Sequence, residues 1–218
     1  MGNEEKVKIA VLATGGGTNL QALLDAEARG DLPHGHICLV IASRPGVYAL
    51  ERARLAGVRN IAIIPSDYPT QETYESALIS LLDSEGIELI ILAGFTKILS
   101  GNFTSRYPDR IINVHPSLIP SFCGKGFYGL RVHEAVLEYG VKVTGATVHF
   151  VNEVTDGGKI ILQRAVEVKE GDTPEKLQRR VMEEAEWKIL PEAAELVCAK
   201  ILKEKNATNL RRNENEHI

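Results

Sequence analysis

The chain has 218 residues, 44% of them hydrophobic and 25% charged, the composition of an ordinary water-soluble globular domain. Lys plus Arg number 25 against 29 for Asp plus Glu, and a net charge of -4 offers no basic footprint for nucleic acid or an anionic membrane surface. Apolar stretches such as 89–95 are of strand length, far short of the roughly 20 residues of a membrane span, and the acidic start of the chain differs from a secretory leader, so a cytoplasmic location is expected.

Residues 7–14 form a nearly continuous Val, Ile and Leu run, which predicts a strand buried on both faces of a parallel sheet. A glycine turn and a helix over 18–28 follow, then a second buried strand (36–43), a helix (47–56) and a third strand (60–65). Tyr74, Leu78, Leu81 and Leu82 fall at helical spacing within 70–84, and Gly86 closes that helix before a strand over 88–95. The βαβ alternation predicts an α/β fold: a single-domain, doubly wound, mostly parallel sheet with a Rossmann-like N-terminal half.

Beyond 95 the pattern loosens. A short helix is expected over 100–106 and a strand over 110–115, after which Pro116, Pro120, Gly124, Gly126 and Gly129 mark a long loop, a feature that compact domains reserve mostly for function. A helix over 130–139 leads to strands over 144–151 and 159–168 around the turn at 156–158, read as an antiparallel addition to the sheet. Thr173 is placed to cap a helix that begins at Pro174 and runs to about 201 with an interruption near Pro191. One domain over 1–202 is expected, with a phosphate-binding half to about 100 and a catalytic half beyond it. Residues 203–218 are expected to be a disordered tail. Cys38, Cys123 and Cys198 are odd in number and widely spaced, which argues against disulfides and a zinc site.

Three places carry candidate chemistry. The loop Gly15-Gly16-Gly17-Thr18-Asn19 joins the first strand to the first helix, where backbone N–H groups and a helix N-terminus suit a phosphate. It lacks the Gly-Lys-Ser/Thr of a Walker loop, and Leu20 replaces the third glycine of a dinucleotide fingerprint, although Arg44 would suit a 2′-phosphate. Asn113 and His115, two apart on a strand, project from one face, an amide donor beside an imidazole. That pairing suits stabilising an oxyanion while moving a proton. Asp156 belongs to an Asp-Gly turn signal, and it is also a candidate third partner that would raise the pKa of His115. Thr147 and His149 alternate along the neighbouring strand as supporting groups.

In order along the chain, Gly-Gly-Gly-Thr-Asn-Leu-Gln at 15–21, Ala-Gly-Phe-Thr-Lys-Ile-Leu at 93–99, Asn-Val-His-Pro-Ser-Leu-Ile-Pro at 113–120, Val-His-Phe-Val at 148–151 and Asp-Gly-Gly-Lys-Ile-Ile-Leu-Gln at 156–163 resemble the folate-dependent phosphoribosylglycinamide formyltransferases, over about 7–200. The resemblance implies formyl transfer from 10-formyltetrahydrofolate to the amine of glycinamide ribonucleotide in purine biosynthesis, by direct attack through a tetrahedral intermediate and with no metal. It makes Asn113, His115 and Asp156 the catalytic trio. It assigns Gly17, Thr18, Asn19 and Glu186 to the ribonucleotide. Gln71, Thr96, Lys97, Ile98, Leu99, Asn152, Glu153, Val154 and Thr155, together with Asp156, fall to the folate. A monomer or homodimer working on small molecules is expected.

The chain departs from that family at Gln71, where many relatives carry Arg, at Trp187, where His is usual, and at Cys123, where Pro is common. Formyltetrahydrofolate deformylase and methionyl-tRNA formyltransferase share the Asn-x-His logic and differ by added domains. A non-catalytic nucleotide- or folate-binding module would explain the glycine loop alone.

Overall fold

The computed structural model describes residues 5–215. Strands β1 (Val7–Ala13), β2 (Gly35–Ala42), β3 (Arg59–Ala62), β4 (Leu89–Leu92), β5 (Ile111–His115), β6 (Val143–Phe150) and β7 (Ile160–Glu167) make one sheet in the order β3-β2-β1-β4-β5-β6-β7. Pairing is parallel from β3 through β5 and antiparallel for β5–β6 and β6–β7. The expected doubly wound sheet with an antiparallel addition is therefore present. Its order reverses between β1 and β4, the position at which open α/β sheets bind ligands beyond their strand ends.

The helices are α1 (Thr18–Arg29), α2 (Tyr48–Leu55), α3 (Gln71–Ser84), α4 (Gly101–Arg106), α5 (Leu130–Tyr139), α6 (Pro174–Val181) and α7 (Trp187–Asn215). Along β1 the side chains divide by parity: Val7, Ile9 and Val11 join a core with α1, α2, α5, α6 and α7, while Ala10 and Leu12 join a second core with α3 and α4. Among the described residues two α-helices, α3 and α4, cover that second face. Beyond them β5 and β6 carry polar side chains there instead of apolar ones, and this is where a cleft can form.

Two expectations need correction. The segment from 203 onward is helical as far as Asn215, because α7 is tied across the N-terminal end of the sheet. Ile201 is buried, Arg110 pairs with Glu204 at 2.8 Å, and Lys205 pairs with Glu5 at 2.7 Å and Glu88 at 2.5 Å. Once anchored, a helix propagates cheaply through polar residues. Residues 216–218 of the expected tail lie outside the described residues. The helical interruption, in turn, is a π turn at Met182–Glu186, and Pro191 lies within continuous α7. The wide turn accommodates an extra residue and brings Ala185 and Glu186 both to buried positions.

Candidate active site

In the β1–α1 loop, the carbonyl of Gly15 accepts from the Ala49 N–H at 3.2 Å and that of Gly16 from Arg52 Nε at 2.8 Å. A trans peptide directs its C=O and N–H oppositely, so the N–H groups of Gly16 and Gly17 face away from α2. Gly17 is left-handed (φ 71°), and a Cβ there would lie 2.9 Å from Ala49. Its glycine is thus required by helix packing and backbone hand. Gly15 and Gly16 have open space around them. Arg52 also donates to Gln21 at 2.8 Å and stacks on Tyr48, bracing the loop.

Thr18 opens α1, and Asn19 behind it is buried, its Nδ2 donating to Glu186 Oε2 at 2.6 Å. Burial pushes the Glu186 carboxyl up to about 7, against the lowering effect of the Asn19 bond. The Asn19 amide oxygen has no partner among the described residues.

On β5 and β6 the register sets Asn113 opposite His149 and His115 opposite Thr147, four polar side chains on the sparsely covered face. Asn113 Nδ2 lies 3.2 Å from His149 Nε2, and His149 Nδ1 lies 2.8 Å from the Phe150 carbonyl. The carbonyl can only accept, so Nδ1 carries the hydrogen and Nε2 accepts from the Asn113 amide. The same logic places a hydrogen on His115 Nε2, which lies 2.9 Å from the Phe122 carbonyl. His115 Nδ1 is then the nitrogen left to face Asp156 Oδ2, at 3.6 Å.

Asp156 is brought there by the β6–β7 connection, which folds back over the sheet. It adopts φ 55°, accepts from the Gly124 N–H at 2.8 Å and sits 3.6 Å from His149 Nε2. Burial raises its carboxyl, but the groups around it, the Gly124 N–H among them, hold it below the ordinary carboxylate range. For His115 the balance reverses: burial lowers the imidazole more than Asp156 and the Phe122 carbonyl raise it. The expectation of a raised pKa is therefore corrected. His115 rests neutral beside an ionised Asp156, because it is removed from water more completely than its partner can offset.

Thr147 is fully buried and anchors the loop after His115. Its hydroxyl donates to the Ser117 carbonyl at 2.7 Å and accepts from the Ile119 N–H at 3.1 Å and Gln163 Nε2 at 3.0 Å. This loop returns the Phe122 carbonyl to His115 and the Gly124 N–H to Asp156.

The segments that the resemblance assigns to folate are 96–99 and 152–156. Thr96, Lys97 and Ile98 are exposed, whereas Leu99 is buried in the second core. The Thr96 N–H donates to Thr14 Oγ1 at 3.1 Å, which joins this segment to the end of β1. Gln71 spends its amide donors on Glu75 Oε1 (2.9 Å) and the Ile98 carbonyl (3.0 Å), leaving only an acceptor. Asn152 closes an Asx turn by accepting from the Val154 N–H at 2.9 Å, and Asn152 to Thr155 are all exposed. Glu75, Arg52, Gln163 and the Phe122 carbonyl were not singled out from the sequence. The one available signal was for Glu75, an acid among apolar positions of a helix.

Among the described residues no cluster of His, Cys, Asp and Glu could hold a metal, and no helix is long and apolar enough to cross a membrane.

Comparison with known proteins places this geometry. The formyl transferase family matches residues 7–194. The chain is 45% identical over 194 residues to the trifunctional purine biosynthetic protein adenosine-3 of Gallus gallus, covering 89% of this chain and 19% of that protein, so it spans about a fifth of such a relative. It is 39% identical over 184 residues to phosphoribosylglycinamide formyltransferase of Haemophilus influenzae, covering 84% of each. The crystal structure of glycinamide ribonucleotide transformylase 1 from Symbiobacterium toebii is similar at 43% identity, with a TM-score of 0.84 over 91% of this chain and 90% of that one. The chain belongs to the formyl transferase family.

Proposed function

We propose that the chain transfers the formyl group of 10-formyltetrahydrofolate to the amine of glycinamide ribonucleotide, the phosphoribosylglycinamide formyltransferase reaction of purine biosynthesis, and that it does so in the cytoplasm. What carries the reading is the convergence of Asn113, His115 and Asp156 beside an outward-facing glycine loop. The N-terminal half holds the ribonucleotide, with its phosphate on Gly16 to Asn19, and Glu186, bonded to Asn19, contacts it as well. The folate lies between 96–99 and 152–156, and Lys97 supplies a cation for its carboxylate tail.

The amine attacks the formyl carbon, charge grows on the formyl oxygen, and a proton leaves the nitrogen. Asn113 has an amide hydrogen beyond the one given to His149, and it donates this to the oxygen. Neutral His115 takes the proton at Nδ1, and the imidazolium so formed is stabilised by Asp156 and attracts the oxyanion. His115 then gives the proton to the departing folate nitrogen as its bond to carbon breaks. A donor placed at such an oxygen contributes about a hundredfold to a thousandfold in rate. Holding both substrates in line contributes further by removing translational freedom. Hydrogen bonds and the imidazole supply the charge stabilisation, so no metal enters the scheme.

The test is the absorbance change of folate turnover with and without glycinamide ribonucleotide. Turnover that requires the amine is expected. Formyl release at an equal rate without it would make the chain a hydrolase, and binding without turnover would make it a binding module.

A further inference from the structure

Glu75 belongs to no motif in the sequence, yet it is only 5% exposed, an ionisable side chain in the apolar interior between α3 and the end of the 96–99 segment. Burying a carboxylate is costly unless its oxygens are well bonded, and here both are. Oε1 accepts from the Ser100 N–H at 2.7 Å and from Gln71 Nε2 at 2.9 Å, and Oε2 accepts from the Ser100 hydroxyl. Each of these bonds reaches a group tied to the exposed segment. Gln71 also holds the Ile98 carbonyl, and Ser100, through the oxygen whose hydrogen goes to Glu75, caps α4 by accepting from the Phe103 N–H at 3.3 Å. The carbonyl of Ile98 and the N–H of Ser100 bracket Leu99, whose side chain enters the second core. Ile98 itself is 62% exposed. A stretch in which a buried leucine follows three exposed residues has little packing of its own to hold it, and Glu75 supplies what packing does not.

We infer that Glu75 is a positioning residue for the folate cosubstrate, an inference that rests on the folate reading of 96–99. It touches no substrate. It fixes the backbone of 98–100, and with it the face that Thr96, Lys97 and Ile98 offer, from a site on the far side of α3 from solvent. Gln71, in turn, acts through this anchor and offers the ligand only its amide oxygen, so the folate tail draws its cation from Lys97.

The experiment compares wild type with Glu75→Ala and Glu75→Gln. Steady-state constants are measured for each substrate, tetrahydrofolate binding is followed by titration calorimetry, and folding is monitored by thermal melting. Glu75→Gln keeps the shape and an acceptor for Ser100 and Gln71, so it is the variant expected to fold like wild type. Hydrogen bonds to a charged group are worth about a tenfold change or more. Glu75→Ala should therefore raise the folate KM and the tetrahydrofolate dissociation constant about tenfold or more, with Glu75→Gln intermediate. The ribonucleotide KM and kcat should stay within about twofold of wild type in both. A folded variant with unchanged folate constants, or losses shared equally between the two substrates, would overturn the assignment. Should the wild type bind tetrahydrofolate and transfer no formyl group, the functional reading falls, while the ratio of binding constants still decides the role of Glu75. A wild type that binds no tetrahydrofolate overturns both.

Discussion

Two buried groups should pull the acid stability of this protein in opposite directions, and replacing either one should expose the other. His133 on α5 is fully buried, neither ring nitrogen has a partner among the described residues, and burial together with the nearby His115 lowers its pKa from 6.5 to about 4. Between pH 4 and 6.5 the unfolded chain binds a proton at this position that the folded chain does not, so stability rises with pH across that window. Glu186 is the mirror case. Its carboxyl moves from 4.5 up to about 7, so between those values the folded chain holds a proton that the unfolded chain has released, and stability falls as pH rises. One pH unit of difference is worth about 1.4 kcal/mol, so each group alone accounts for about 3 kcal/mol over its full window. From pH 4.5 to 6.5 the windows overlap and the two slopes nearly cancel.

The assay is urea unfolding at half-unit steps from pH 4 to 7.5, on wild type, Glu186→Gln, His133→Leu and the double variant. Glutamine mimics the protonated acid and still accepts from Asn19, so Glu186→Gln should gain a slope, relative to wild type, of about 1.4 kcal/mol per pH unit with stability rising with pH. His133→Leu should show the opposite slope, together with a net gain in stability near pH 4 from removing a buried imidazole that must charge. The double variant should run parallel to wild type across the overlap. The contribution of His115, whose pKa is lowered in the same sense as that of His133, drops out of the difference between wild type and Glu186→Gln, while His133→Leu also removes the coupling between the two imidazoles. Single variants whose profiles run parallel to wild type would refute the placement of both groups as buried and differently protonated.

Other changes read the site directly. Asp156→Asn retains an oxygen for the Gly124 N–H and a residue type that tolerates φ 55°, so it should fold normally, lose kcat by about a hundredfold, and shift the acid limb of kcat/KM downward, because loss of the anion lowers His115 further; normal kcat with an unmoved limb would return Asp156 to a turn-forming role. Gly16→Ala should leave the melting temperature unchanged and raise the ribonucleotide KM. Gly17→Ala, strained by about 1–2 kcal/mol in a left-handed conformation and facing Ala49, should lower the melting temperature as well. Thr147→Val removes the hydroxyl that holds Ser117, Ile119 and Gln163, and should cost about 2 kcal/mol, seen as a fall of about 4–8 °C in melting temperature together with reduced kcat as the loop loosens.

What could be read from the residues follows from periodicity. The continuous apolar run of β1 predicts a strand covered on both faces, and the odd and even residues of that strand do enter two different cores. The two-residue spacing of Asn113 and His115 places them on one face, and the antiparallel register sets His149 and Thr147 opposite them. Glu186 carries no periodic signal of its own, since a π turn is what rotates it toward Asn19, and only the resemblance to a family pointed to it. The helical end of α7 was illegible for a related reason. Its polar residues are held by ion pairs to Glu5, Glu88 and Arg110, positions far away in the chain that no local window contains.

The misjudged pKa of His115 is the most instructive case. An aspartate expected to meet a histidine in the fold argues for a raised value, and Asp156 does act in that direction. The opposing effect is desolvation, which belongs to the whole neighbourhood: β6 beside the strand, the loop anchored by Thr147 and the aromatic residue whose carbonyl takes the Nε2 hydrogen. A neutral resting imidazole also suits the proposed chemistry better than a charged one, because a base must be empty before the amine attacks. Asp156 then acts when the proton arrives, stabilising the imidazolium that forms during the reaction rather than one already present. For this reason its replacement should appear chiefly in kcat and in the acid limb.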